Sequence, residues 1–159
     1  MAKLRGVKRR QEVRGEVNGV MVIDDFAHHP TAVRETLRAL KLRYPDRNLV
    51  AVFEPRSATS RRKVFQKDYA EAFGEAARVY IAKPYDQTRI QADDQFSSDQ
   101  LVEDMRTRGQ KVELMPTVEE GVSLVAAQAK SSDLIAVLSN GGFGGFIPKL
   151  LESLKTNKA

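Results

Sequence analysis

The residues best suited to chemistry stand in one short stretch, "VIDDFAHHPTAVRETLRAL", residues 22–40. An apolar run ends in Asp24 and Asp25, and both histidines of the chain, His28 and His29, follow just ahead of Pro30. A strand-end carboxylate can accept from a ribose or hold water around Mg²⁺; equally, it can cap local N–H groups. Successive strand residues face opposite sides, so at most one of the two acids faces a ligand directly. Histidines before a helix start sit where backbone N–H groups and the helix dipole favour anions. Such a ring can donate to a carboxylate or accept from an amine, and its plainer role is a solvated ring or a local cap. Two histidines are too few for zinc, and without cysteine there is no thiolate site, so no metal centre is expected.

Two more stretches carry donors. "EPRSATSRR" sets Arg56, Ser57, Thr59, Ser60, Arg61 and Arg62 within seven positions. Arginine holds carboxylates by paired hydrogen bonds and hydroxyls add to them, while any of the hydroxyls could instead cap a helix. "LSNGGFGGF" follows Ser139 and Asn140 with four glycines in the five positions from Gly141 to Gly145. Glycines allow close backbone approach to a ligand. This is not a dinucleotide fingerprint, which belongs after the first strand and needs a third glycine where Ile147 stands.

Positioning these stretches is the work of alternating strand and helix patterns. "RQEVRGEVNGVMVIDD" reads as two strands around an Asn18-Gly19 turn. Val33, Leu37 and Leu40 give a helix over 31–43, with Pro30 at its start and an end near Tyr44-Pro45. "NLVAVFE" (48–54) reads as a strand buried on both faces. A helix over 62–76 then carries Val64, Phe65, Tyr69 and Phe73 on one side, and "RVYIA" (78–82) is the next strand. Residues 97–108 form a helix ended by Gly109, followed by the strand "KVELM" (111–115). Thr117 with Glu120 opens a helix to Ala129, "DLIAVLS" (133–139) is the last buried strand, and a final helix runs through Ile147, Leu150, Leu151 and Leu154. The alternation predicts an α/β fold with a mostly parallel sheet and helices on both faces. Ligands bind such sheets at the carboxyl ends of the strands, where the turns at 24–31, 55–62 and 139–145 belong.

Composition bounds the rest. The chain has 159 residues, enough for one domain, with 42% hydrophobic and 30% charged residues. It has no run long enough to span a membrane, no signal-peptide core and no cysteine, which fits a cytoplasmic protein. The net charge is +5 and the isoelectric point about 9.6, with six of the first fourteen residues basic. That arm has no interleaved aromatics, so it reads as a solvated, anion-attracting segment; a nucleic-acid partner is not expected.

Together, "GVKRRQEVRGEVNGVMVIDDFAHHPTAV", "VFEPRSAT" and "LSNGGFGG" resemble the C-terminal domain of the Mur ligases over nearly the whole chain. D-D-x-x-H-H-P is similar to the branch that adds L-alanine to UDP-N-acetylmuramate. E-P-R-S-x-T and S-N-G-G-F-G-G resemble the branch that adds an intact tripeptide. The resemblance implies a Rossmann-like domain, residues 1–159, that presents the amine substrate within a three-domain, ATP-dependent amide ligase. The implied substrates are UDP-N-acetylmuramate and the murein tripeptide L-Ala-γ-D-Glu-meso-diaminopimelate, joined through an acyl phosphate in peptidoglycan recycling. ATP and Mg²⁺ are then bound mainly by an absent central domain. The family's pattern implies ATP contacts from Arg10 and Asp25. It implies tripeptide contacts from His28, His29, Arg56, Ser57, Thr59, Ser139, Asn140 and Gly141. Ala58 departs from the family's usual asparagine, so a contact is lost there. No G-x-x-x-x-G-K-[ST] phosphate loop occurs in the chain, so it is expected to be an excised domain without ligase activity alone.

Two other readings compete. A signalling receiver would use Asp24 and Asp25 with an acid at a later strand end, but Glu54 stands for the phosphoacceptor aspartate and Ser139-Asn140 for the lysine. A nucleic-acid module would use the basic arm and show steep salt dependence.

Overall fold

Asn18 and Gly19 both take left-handed backbone angles, φ 52° and 83°. That turn matches the right-handed twist of the strands it joins, β1 (Glu12–Val17) and β2 (Val20–Asp25). A Cβ at Gly19 would stand 2.5 Å from Ser131 Oγ, so space and φ both call for glycine. The structure, a computed structural model, describes residues 11–55, 66–83, 97–139 and 143–156.

Local signals set most of the helices. In α1 (Pro30–Arg43), Pro30 lies in the first turn and Val33, Leu37 and Leu40 form the buried stripe. The Tyr44 N–H closes that helix on Leu40 O at 2.9 Å, just before Pro45. Ser97 Oγ caps α3 (Ser98–Thr107) by accepting from Gln100 N at 3.0 Å, and Gly109 follows with φ 85°. Thr117 Oγ1 caps α4 (Val118–Gln128) by accepting from Glu120 N at 3.1 Å. α5 (Phe146–Thr156) closes the chain.

The second helix differs from expectation. α2 runs only from Gln66 to Ala72, four residues short of the expected end, and 62–65 lie outside the described residues. Gly74 follows its last turn, and glycine lowers helix stability by about 1 kcal/mol relative to alanine. Phe73, beyond the helix, keeps its core place, fully buried with its ring 5.5 Å from that of Phe53.

With β3 (Asn48–Phe53), β4 (Arg78–Ala82), β5 (Val112–Met115) and β6 (Asp133–Leu138), the strands form one sheet ordered β1-β2-β6-β3-β4-β5. Only β1–β2 is antiparallel; the four other pairings are parallel. One core lies under α1, α2 and α3, with Ile23, Leu37, Phe53, Tyr69 and Leu101. The other lies under α4 and α5, with Val22, Val52, Val125, Ile135 and Phe146. The expected α/β architecture with helices on both faces is therefore the observed one. Among the described residues, no helix is long and apolar enough to cross a membrane.

Candidate functional site

The last strand in sequence, β6, lies between β2 and β3. Asp25, Leu138 and Phe53 stand in register across the three strands, so these end at one level. The ladder runs one step further: Ser139 N donates to Asp25 O at 3.1 Å, and Glu54 N to Leu138 O at 3.0 Å. The turns that begin at Phe26, Pro55 and Ser139 therefore leave the sheet side by side. Chain segments more than eighty residues apart meet at one carboxyl edge, the usual ligand place of such sheets.

The two aspartates are both 2% exposed and have separate duties. Asp24 Oδ2 accepts from Arg14 Nη1 at 3.0 Å. The β1 ladder carries an irregularity between Val13 and Gly15, where Arg14 is the extra residue, and a bulge re-aims a side chain in this way. Asp25 Oδ1 accepts from Ala27 N at 2.8 Å, and its Oδ2 accepts from Gln11 N at 2.9 Å. Asp25 thus fixes the turn into the histidines and ties the chain ahead of β1 to it. Gln11 holds φ 50° there. The local-cap role weighed for these acids is realised in Asp25.

The histidines are also built in. His29 is the N-cap of α1, its Nδ1 accepting from Thr31 N at 3.3 Å. His28 Nδ1 lies 3.1 Å from Phe26 O, and His28 O accepts from the buried Tyr69 hydroxyl of α2. The Tyr69 ring packs 5.1 Å from Phe53 at the end of β3, so one core residue sets the height of the histidine turn. Both histidines are partly exposed.

After β6, Phe143, Gly144 and Gly145 are all left-handed, with φ 53°, 59° and 74°. For Phe143 that conformation costs about 1–2 kcal/mol, offset by burial of its ring, stacked on Phe146 at 4.7 Å. Gly144 has a second constraint, since a Cβ there would meet Val118 Cγ2 at 3.1 Å.

Of the residues singled out in the sequence, Asp25, His28, His29 and Ser139 share this edge. Arg10, Arg56, Ser57, Thr59, Asn140 and Gly141 lie outside the described residues. Sequence reasoning considers Glu54 only as a strand-end acid in the receiver reading and misses its bond to Ser139. Glu54 is 6% exposed and accepts from Ser139 Oγ at 2.6 Å, joining the ends of β3 and β6. A charged residue closing an apolar run was the available signal. Each Asp25 carboxylate oxygen accepts one backbone N–H, and among the described residues no cluster of three or more acidic, histidine or cysteine side chains could hold a metal.

A family model described as "Mur ligase, glutamate ligase domain" matches residues 9–141. The chain belongs to this family. The Mur ligase chain is 39% identical over 149 residues to a UDP-N-acetylmuramate--L-alanyl-γ-D-glutamyl-meso-2,6-diaminoheptandioate ligase of Haemophilus influenzae, covering 93% of this chain and 31% of that protein. A crystal structure of a murein peptide ligase from Psychrobacter arcticus superposes with a TM-score of 0.79 at 31% identity, over 93% of this chain and 30% of that one. A crystallised domain of a putative ligase of the same description from Haemophilus ducreyi gives 0.71 at 32% identity, over 91% of this chain and 99% of that one. Proteins described as UDP-N-acetylmuramate--L-alanine ligases match as well. The Mur ligase chain spans about 30% of its full-length relatives. Its fold is that of the Mur ligase C-terminal domain, which overturns the receiver alternative.

Proposed function

We propose that this chain is the amine-presenting domain of an ATP-dependent ligase that joins UDP-N-acetylmuramate to L-Ala-γ-D-Glu-meso-diaminopimelate. The observation that carries the reading is the levelling of Asp25, Leu138 and Phe53, which starts three polar turns side by side. Relatives of that description, at 39% and 38% identity, support the peptide as substrate. ATP, bound with Mg²⁺ mainly by a separate central domain, supplies the phosphoryl group that turns the muramate carboxylate into an acyl phosphate. The peptide amine attacks the acyl carbon, the carbon–oxygen bond to phosphate breaks, and the amine loses a proton.

The work of this chain is positioning and charge. Arg56, Ser57 and Thr59 supply donors for the peptide's carboxylates. His28 and His29, at the start of α1, supply ring nitrogens beside a helix end that favours anions. Ser139, Asn140 and Gly141 let backbone approach the ligand closely. Arg10 and Asp25 face the nucleotide when the domains close, with Asp25 acting through the turn it holds as well as by contact. Such a reaction reuses a preformed peptide, as peptidoglycan recycling requires, and belongs in the cytoplasm with its ATP.

An amide chemical-shift titration with the tripeptide at millimolar concentration tests this. Saturable shifts at 28–31, 56–59 and 139–145 support the reading. The same shifts with L-alanine, and none with the tripeptide, move the chain to the alanine-adding branch. Shifts elsewhere, or none, argue against a peptide pocket on this domain.

A further inference from the structure

At the opposite, amino-terminal edge of β4 and β5 lies an open cleft of about 660 Å³. β4 has five residues, so the cleft is roughly 16 Å from the carboxyl edge at about 3.3 Å per residue. Its floor is an ordered polar network. Arg78, the first residue of β4, donates from Nη2 to Asp133 Oδ2 at 3.1 Å and to Gln128 O at 3.4 Å, and from Nε to Tyr80 Oη at 3.2 Å. The Tyr80 hydroxyl donates to Gln128 Oε1, and Gln128 Nε2 donates to Glu113 Oε2 at 3.2 Å. Lys130 N gives Asp133 Oδ2 another donor at 2.9 Å. Asp133 Oδ2, Glu113 Oε2 and the last carbonyl of α4 are thus engaged, while Asp133 Oδ1 is buried without a hydrogen-bond partner among the described residues. Burial, partly opposed by Arg78, raises the Tyr80 phenol above its ordinary value of 10.0 and keeps it neutral.

The rim has the opposite character. Arg106, Lys111 and Lys130 are exposed and line the cleft with Arg78, against Glu113 as the one acid among its lining residues. Arg106 Nε donates to Val112 O at 3.0 Å, which orients the guanidinium and leaves its two terminal nitrogens uncommitted among the described residues. The Lys111 and Lys130 ammonium groups make no hydrogen bond or ion pair among the described residues. Isolated surface lysines are ordinary. Three uncommitted cationic heads around a cavity with a fixed floor are a different arrangement.

We propose that this cleft binds a phosphate-bearing small molecule of nucleotide size, at a site separate from the ligase edge. Arginine and lysine side chains lining one space match the charge and acceptor geometry of phosphate oxygens. The volume falls within the range of small-molecule sites, about 300–1,000 Å³. Ala127 is the exposed apolar residue of the lining and borders the uncharged part of the ligand. A nucleic-acid strand fits less well, because the Tyr80 ring is fully buried and offers no face for base stacking.

The test is an amide chemical-shift titration of the chain with inorganic pyrophosphate and, separately, with UDP. It is run at about 150 mM salt, where charges beyond about 8 Å are screened. Saturable shifts at 78–80, 110–113 and 127–130 are expected. The triple variant R106E/K111E/K130E should weaken binding at least about tenfold, equivalent to about 1.4 kcal/mol. R38E/K41E/R43E changes the net charge equally on exposed positions of α1 and should leave the affinity unchanged. Tighter binding of UDP than pyrophosphate makes the ligand a nucleotide; equal binding makes the phosphates alone the determinant. Shifts that never saturate, or equal loss in both triple variants, overturn the site in favour of general charge attraction.

Discussion

Ser139 Oγ donates to Glu54 Oε1 at 2.6 Å, joining two buried side chains one residue beyond the ends of β6 and β3. Val137 and Val52, two residues earlier on the same strands, pack under α4 and α5, so both polar groups end the same core face. Ser139→Ala leaves a buried carboxylate short of a donor. The expected loss is about 1–3 kcal/mol of stability, read by denaturant unfolding. A loss near zero would show that the bond does not join the two strand ends energetically.

Asp25→Ala removes the acceptor of two backbone N–H groups, those of Ala27 and Gln11. A loss of about 3–6 kcal/mol is expected for two bonds to a charged group, at about 1.5–3 kcal/mol each. Hydrogen exchange should speed up at those two amides before the rest of the sheet. Uniform acceleration would mean that Asp25 acts on global stability alone.

His29 combines a cap with a proposed ligand contact, and His29→Asn separates the two. Asparagine is among the best N-caps, so stability should stay within about 0.5 kcal/mol of the parent. Tripeptide-induced shifts should nonetheless weaken. Unchanged titration by the variant would leave His29 a cap only.

Asp133 is fully buried, and Arg78 is its ion-pair partner at 3.1 Å. Arg78→Met strands the carboxylate, with Lys130 N as a remaining donor. Breaking buried pairs costs about 3–5 kcal/mol, and the partial exposure of Arg78 argues for the lower end of that range. Thermal unfolding measures it, and a drop below about 1 kcal/mol would show that solvent compensates Asp133.

Lys149 Nζ stands 2.9 Å from Glu119 Oε2, and this bond holds the Glu119 carboxyl below its ordinary 4.5. A lowered folded value means that its stabilising effect is present above the unfolded value and is lost as pH falls through the folded one. Tyr80 runs the other way: raised in the folded state, it contributes below 10.0 and loses that contribution as pH rises further. Carboxyl and ring NMR titrations should show both directions, and Lys149→Ala should return Glu119 towards 4.5.

Elements with local causes were legible in the sequence. The Asn18-Gly19 turn, Pro30 at the start of α1, the Thr117 cap and Gly109 each depend on residues within a few positions. Buried strands such as β3 and β6 announce themselves as continuous apolar runs. From that alternation follows the α/β class, and from three joint motifs the family. Tertiary structure alone decided that β6 enters between β2 and β3, because pairing partners are chosen by packing across the whole sheet. That choice brings Glu54 to Ser139, 85 positions away, and no local pattern encodes such a meeting. Arg78 on Asp133 has the same origin. So does the left-handed Phe143, whose strain is tolerable only because Phe146 and the core receive its ring.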